Sequence, residues 1–244
     1  MIAIETHALS KKHKERTAVH PLELTIKQGG VFGLLGVNGA GKTTIIRMLA
    51  CLVKPTGGDA TVLGKSILTA PQEVKASINL SPQETSVAPN LSVRENLELI
   101  AGIYGNGRQS AKDKASRVMN KLGLSDVQKD KAKILSGGWQ RRLSIAMALI
   151  SDPKILFLDE PTLGLDVLAR RELWSVIENL KGEMTIILTT HYLEEAEALA
   201  DEIGIMAQGR LKALGTAASL VAATGARNFE DAFVSLATES EVAR

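Results

Sequence analysis

The sequence predicts an α/β protein whose parallel sheet is flanked by helices, with an N-terminal antiparallel β subdomain and a helical insertion. Three patterns lead there. Unbroken apolar runs at Val31-Phe32-Gly33-Leu34-Leu35, Ile155-Leu156-Phe157-Leu158 and Ile186-Ile187-Leu188 mark strands buried on both faces. The first thirty residues instead alternate apolar and polar, as at Ile2/Ile4 and Leu22/Leu24/Ile26, which suits half-buried antiparallel strands. From about Thr85 to Leu135 the period becomes helical.

The run at 31–35 ends in a glycine-rich loop and then a helix-like stretch from about Thr43 to Leu52. The turn signal Lys54-Pro55-Thr56-Gly57-Gly58 stops it. In the insertion, Ser92-Val93-Arg94-Glu95 fits a capping box, with Ser92 as N-cap and Glu95 reaching back. Leu97, Ile100, Ala101 and Tyr104 then share a face. Ala115, Val118, Met119 and Leu122 repeat the pattern, and Gly123 is placed to end that helix. After Leu135 the α/β rhythm returns, with Leu173, Trp174, Ile177 and Leu180 as a helix face between the later strands. Gln208-Gly209 predicts a late hairpin, and Phe229, Ala232, Phe233 and Leu236 a short amphipathic helix. The expected organisation is one domain over 1–244, with its core at 1–84 and 136–215, the helical part at 85–135 and a helical tail at 216–244.

Composition narrows the function. With 29 Lys+Arg against 27 Asp+Glu and 45% apolar residues, the chain is neither disordered nor charged for general nucleic-acid binding. Aromatic residues make up 3%, too few for a base-stacking platform. A single cysteine, Cys51, forms no internal disulfide, which favours a reducing compartment. No apolar run reaches the ~18–20 residues of a membrane-spanning helix, and the start lacks signal-peptide character. The expectation is a polypeptide that stays in the cytoplasm and forms no pore alone.

Gly36-Val37-Asn38-Gly39-Ala40-Gly41-Lys42-Thr43, followed by Thr44, matches the phosphate-binding P-loop, so the predicted core is that of a P-loop ATPase. Its glycines let backbone N–H groups wrap a polyphosphate. Lys42 would reach the β- and γ-phosphates, the Thr43 hydroxyl would ligate Mg²⁺, and the following helix presents its positive end to the anion. The motif leaves a buried strand and enters a helix, which sets it apart from a chance glycine-rich turn. Asp159 and Glu160 end the run at 155–158, at the sheet edge where ligands bind in open α/β sheets. Asp159 is placed to hold Mg²⁺ through water, and Glu160 to polarise the attacking water. An isolated Asp-Glu pair would be two solvated acids. The apolar strand before them and the upstream P-loop reverse that reading.

With Leu135-Ser136-Gly137-Gly138 ahead of that strand, the chain resembles the nucleotide-binding subunit of an ATP-binding cassette (ABC) transporter, from about Ile2 to at least Gly215. The family's motifs occur in order: the P-loop, a Q-loop glutamine (Gln83), the signature from Leu135, Walker B through Glu160, a D-loop (Leu163-Gly164-Leu165-Asp166) and a switch histidine (His191). The resemblance implies that two copies close head-to-tail around two ATP molecules. Each ATP would lie between one copy's P-loop residues (Asn38, Gly39, Ala40, Gly41, Lys42, Thr43, Thr44) and the other's Ser136, Gly137, Gly138 and Asp166. It further implies that His191 contacts the γ-phosphate and the water, and that Gln83 senses Mg²⁺ or the attacking water while its loop touches a membrane-spanning partner. Two positions depart from the pattern. Trp139 stands where the family has Gln, and His13 follows Lys11-Lys12 where an aromatic, often Tyr, stacks on adenine. An imidazole can stack, with less area than a phenol.

The expected function is therefore ATP hydrolysis energising a separate integral membrane permease, export rather than import. That preference rests on the Gly215-Thr216 step and the Asn228-Phe229-Glu230-Asp231-Ala232-Phe233 tail, and the site of action would be the cytoplasmic face of the membrane. The alternative is a soluble ABC ATPase acting on ribosomes or DNA. Near-zero net charge and a single cassette argue against it, and no direct nucleic-acid partner is expected. A P-loop kinase leaves Ser-Gly-Gly and His191 unexplained.

Overall fold

Strands β1 (Ile2–His13) and β2 (Arg16–Lys27) pair antiparallel, and their alternation sends Ile4, Leu9, Leu22, Leu24 and Ile26 into the core. The structure, a computed structural model, describes residues 1–238; the last residues of the predicted tail, 239–244, lie outside them. Strand β3 (Val31–Leu35), buried throughout, follows and opens into the glycine-rich loop and helix α1 (Lys42–Leu49). The helix is shorter than its predicted extent. Ala50 is its C-cap, and Cys51 adopts a left-handed conformation (φ 55°) that ends the hydrogen-bond ladder. Strands β4 (Gly57–Val62) and β5 (Lys65–Ser66) complete an antiparallel sheet in the order β2-β1-β4-β5.

A short helix α2 (Pro71–Ser77) leads to β6 (Ile78–Ser81), then to the helices α3 (Val93–Ile103) and α4 (Arg108–Lys121) of the predicted insertion. The capping box is present at the head of α3, where Glu95 N donates to Ser92 Oγ at 3.2 Å and Ser92 N to Glu95 Oε2 at 2.7 Å. Gly123, at φ 66°, follows the C-cap of α4 as expected. Helix α5 (Gly137–Leu149) had no periodic signal of its own. It is sandwiched between helices and sheet, with Arg141, Leu143, Ile145, Ala146, Ala148 and Leu149 all buried, so it lacks a polar face.

Strand β7 (Ile155–Asp159), helix α6 (Val167–Glu178), strand β8 (Thr185–Thr190), helix α7 (Leu193–Leu199) and the hairpin of β9 (Glu202–Ala207) and β10 (Arg210–Gly215) restore the α/β rhythm. The hairpin turns through Gln208 and Gly209, both at positive φ. Helices α8 (Ala217–Thr224) and α9 (Phe229–Thr238) close the described chain. The second sheet runs β10-β9-β3-β8-β7-β6 and is parallel except for the hairpin. Its two faces explain the unbroken apolar runs. Along β7, Leu156 and Leu158 face the cluster shared with the helical insertion, while Ile155 and Phe157 face the one shared with α1 and the antiparallel sheet. A third cluster joins Leu35, Ile203 and Ile205 to Leu220 and Phe229 of the last helices.

The capping geometry makes a quantitative expectation. Ser92→Ala should lower unfolding stability by about 1 kcal/mol, whereas Ser92→Gly should lower it by roughly a few tenths. Equal losses in urea denaturation would mean that Ser92 contributes through something other than the cap.

Candidate functional site

Strands β3, β8, β7 and β6 are parallel neighbours, so their carboxyl ends share one edge of the sheet. The loops leaving those ends carry 36–44, His191, Asp159-Glu160 and Gln83 respectively. Segments far apart in the chain thus meet because adjacent strands lie only about 5 Å apart. A cavity of about 520 Å³ opens there. Its floor is the loop from Asn38 through Gly39, Ala40 and Gly41 to Lys42, Thr43 and Thr44. Gln83, Glu160 and His191 line it from the neighbouring strands, and His13 and Arg16 from the turn between β1 and β2.

The floor is shaped for an anion. Gly41 adopts φ 103°, and a Cβ there would come within 2.7 Å of the Ala18 carbonyl oxygen, so the tight entry into α1 requires glycine. As N-cap of α1, Gly41 has no side chain to offer, and the first turn contains no acidic residue. The N-terminal N–H groups are consequently left for an external acceptor. Lys42, buried at the head of the helix, donates to the Gly36 carbonyl at 2.6 Å and the Val37 carbonyl at 3.3 Å, and its Nζ lies 3.3 Å from Glu160 Oε1.

Asp159 and Glu160 are both buried, yet they face different partners. Asp159 Oδ1 accepts from Thr43 Oγ1 at 3.0 Å and from Thr189 Oγ1 at 2.6 Å. Glu160 leaves the strand at φ 50°, a strained conformation for a non-glycine residue, and its N–H is shared between the Thr189 carbonyl (3.1 Å) and hydroxyl (3.0 Å). This turn aims the carboxylate into the cavity. One oxygen meets Lys42, and the other lies 2.5 Å from His191 Nδ1. Among the described residues no group of three or more His, Cys, Asp or Glu could hold a metal ion alone. The Thr43 hydroxyl beside the Asp159 carboxylate instead suits Mg²⁺ arriving with phosphates, since that ion keeps several waters and needs few protein ligands.

The signature residues are elsewhere. Ser136, Gly137, Gly138 and Asp166 do not line the cavity. Ser136 is the exposed N-cap of α5 and makes no side-chain capping bond, and again no acidic residue lies in the first turn. Trp139 packs half-buried beneath Arg142, whose Cζ is 4.9 Å from the ring centroid and whose Nη2 bonds Glu172 at 2.6 Å. Asp166 is the N-cap of α6, accepting from Ala169 N at 2.9 Å.

Several contributors escaped the sequence reading. Arg16 and Ala18 join the cavity wall, and Thr189 anchors both acids. The largest omission is Arg141, buried on α5. Its guanidinium donates to the carbonyls of Pro82 (2.5 Å), Gln83 (3.0 Å), Glu160 (2.6 Å) and Pro161 (2.7 Å). Burial lowers its proton affinity, but nearby Asp159, Glu195 and Glu160 oppose that effect. No local signal pointed to Arg141, because α5 is buried on several sides and shows no apolar stripe against which an inward arginine would stand out.

Comparison with known proteins agrees with this geometry. The sequence model of the ABC transporter family matches residues 19–163. The chain is 40% identical over 224 residues to the daunorubicin/doxorubicin resistance ATP-binding protein DrrA of Streptomyces peucetius, covering 91% of this chain and 68% of that protein. It is also 40% identical over 214 residues to the human phospholipid-transporting ATPase ABCA3, covering 88% of this chain and 13% of that one. Among solved structures, an ATP-binding subunit of an ABC transporter superposes with a TM-score of 0.82 at 26% identity, covering 96% of this chain and 99% of its own. The fold is shared as well with cbiO1 of Clostridium perfringens, part of the complex cbiONQ, at a TM-score of 0.83, 24% identity and 91% and 92% coverage. The chain belongs to the ABC transporter family, as an ATP-binding, ATP-hydrolysing subunit that powers transport.

Proposed function

We propose that this chain hydrolyses ATP·Mg²⁺ at the β3–β8–β7 edge, as one of two copies closing head-to-tail, and so drives a membrane-spanning export permease from the cytoplasmic face. One observation carries the hydrolytic part: the Glu160 carboxylate sits at the rim of the phosphate loop, between Lys42 and His191. In this reading Lys42 and the N–H groups of residues 39–44 bind the phosphates, and His13 stacks on the base. Thr43, Asp159 through water, and Gln83 would hold Mg²⁺, which when bound neutralises charge on the transferred phosphoryl group. Glu160 accepts a proton from water as the water oxygen bonds to the γ-phosphorus and the bond to the ADP oxygen breaks. His191 holds the other oxygen of Glu160 and keeps the carboxylate aimed.

Two observations support the second copy. Helix α5 presents an uncapped N-terminus at Ser136-Gly137-Gly138, which like that of α1 suits an anion but lies outside this chain's own cavity. Leu163, Val167 and Leu168, flanking Asp166, are exposed apolar residues. Among the described residues no helix is long and apolar enough to cross a membrane, and in this reading the pore is formed by a separate permease. Its docking face in this reading is the groove of Leu80, Pro82, Ile100, Ile103, Tyr104 and Met147, where Ile103 is 71% and Tyr104 51% exposed. That groove continues into Gln83, and Arg141 binds the carbonyls of Pro82 and Glu160 with one guanidinium, which gives a short path from partner to base. The resistance proteins among the relatives favour export.

Four outcomes test the proposal. Glu160→Gln should leave ATP binding nearly intact, lower turnover by roughly 10²–10⁴-fold and promote an ATP-dependent dimer in sizing chromatography. Lys42→Ala should instead weaken ATP affinity by roughly tenfold or more, since a charge-assisted contact is lost. A monomeric Glu160→Gln with near-normal hydrolysis would remove that residue from catalysis. At the base, His13→Tyr should tighten nucleotide binding by roughly several-fold and His13→Ala weaken it, for stacking of about 1 kcal/mol. Identical affinities in all three would place the imidazole outside the contact. Ile103→Glu should reduce recovery of the co-expressed membrane subunit with the chain in pull-downs, and parental recovery would argue against the groove.

A further inference from the structure

Helices α6 and α7 meet in a buried polar junction that none of the roles above uses. Arg170 Cζ lies 4.4 Å from the centroid of the Tyr192 ring, and that ring lies 4.1 Å from the His191 ring at an interplanar angle of 40°. His191 in turn reaches Glu160. One turn further along α6, Trp174 Nε1 donates to Glu195 Oε1 of α7 at 3.2 Å. Arg170 has few polar partners: its Nε is buried without a hydrogen bond, and its nearest carboxylate contact is Glu194 at 3.9 Å. Glu195 is engaged by Trp174, and desolvation pushes its carboxyl up from the usual carboxylate range despite hydrogen bonds from neighbouring side chains. The guanidinium is therefore committed to the face of Tyr192, an arrangement that a planar cation can hold and an ammonium reproduces poorly. Arg170 also lies one turn into the helix that Asp166 caps, its N–H donating to the Asp166 carbonyl at 2.9 Å.

We propose that Arg170 is a positioning residue: stacked on Tyr192, it sets the orientation of His191 and thereby of Glu160, and it transmits to them any displacement of the exposed 163–168 segment. The inference rests on the hydrolytic role proposed for His191 and Glu160. A staple that merely holds two helices together would change stability and the amount of active protein. A positioning residue changes how well the base works in protein that still binds ATP.

The split between kcat and the KM for ATP separates the two. Arg170→Ala should lower kcat by roughly tenfold with KM unchanged within about twofold. Arg170→Lys should restore only part of kcat, because an ammonium keeps the charge but not the planar stack on Tyr192. An unaltered kcat in Arg170→Ala, or a KM that rises in step with the loss of kcat, overturns the inference. Should Arg170→Ala not fold, Tyr192→Leu carries the test: adding Arg170→Lys to it should cost no further kcat, because the stacking surface is already gone, and additive losses overturn the proposal. His191→Ala keeps the two levels apart. If kcat falls there yet is unaltered in Arg170→Ala, only the positioning role falls; if kcat is unaltered in His191→Ala, the hydrolytic role of His191 falls as well.

Discussion

Carbonyl oxygens at the ends of two parallel strands need donors that the sheet no longer supplies, and here the donor is the buried guanidinium of Arg141. Beyond Ser81 on β6 and Asp159 on β7 the chain turns into irregular loops while still inside the protein. Unpaired carbonyls in that position would each cost about 1–3 kcal/mol. Arg141 meets those of Pro82, Gln83, Glu160 and Pro161 together, a task that needs the five donors in fixed geometry that only arginine has. The loops that carry Gln83 and Glu160 are held in register with each other by a residue of α5, the helix that begins at Ser136.

With those loops anchored, two neighbouring acids take different work. Asp159 still belongs to β7, and its carboxylate is engaged by the hydroxyls of Thr43 and Thr189. Glu160 turns out of the strand in a left-handed conformation and meets a lysine and a histidine. The strain at that residue is offset by the two bonds to its N–H and by the Arg141 contact to its carbonyl. Each oxygen of this buried carboxylate has a partner, and either partner is placed to yield to a phosphate or to water.

Electrostatics also connect the two ends of the proposed dimer. Helices α1 and α5 both start without a side-chain cap and without an acidic first turn, an omission that leaves N–H groups unsatisfied at two surfaces. At α1 the surface is the cavity floor; at α5 it is an exposed edge flanked by Trp139. Under the proposed head-to-tail pairing, a polyphosphate between copies would satisfy both.

Much of this protein was legible before any coordinates. Apolar runs at 31–35, 155–158 and 186–188 identified strands dry on both faces, because local periodicity reports which sides of an element face water. The phosphate loop, the capping box at Ser92 and the hairpin at Gln208-Gly209 were readable for the same reason, each being a short segment whose chemistry is complete in itself, while the Asp159-Glu160 pair was readable from the apolar strand before it and the upstream P-loop. Helix α5 was not, since burial on all sides erases the stripe that betrays a helix. Strand order lay beyond the sequence as well. That β8 sits between β3 and β7, bringing His191 to the same edge as Lys42 and Glu160, depends on pairings across the whole chain. Arg141 beneath the loops and Arg170 on Tyr192 belong to that second class too, since their partners are carbonyls and a ring supplied by distant segments. The sequence by itself determined the buried strands at 31–35, 155–158 and 186–188 and pointed to the phosphate loop and the Asp159-Glu160 pair. Only the tertiary structure decided which of them touch, because contact energies between remote segments leave no local periodicity to read.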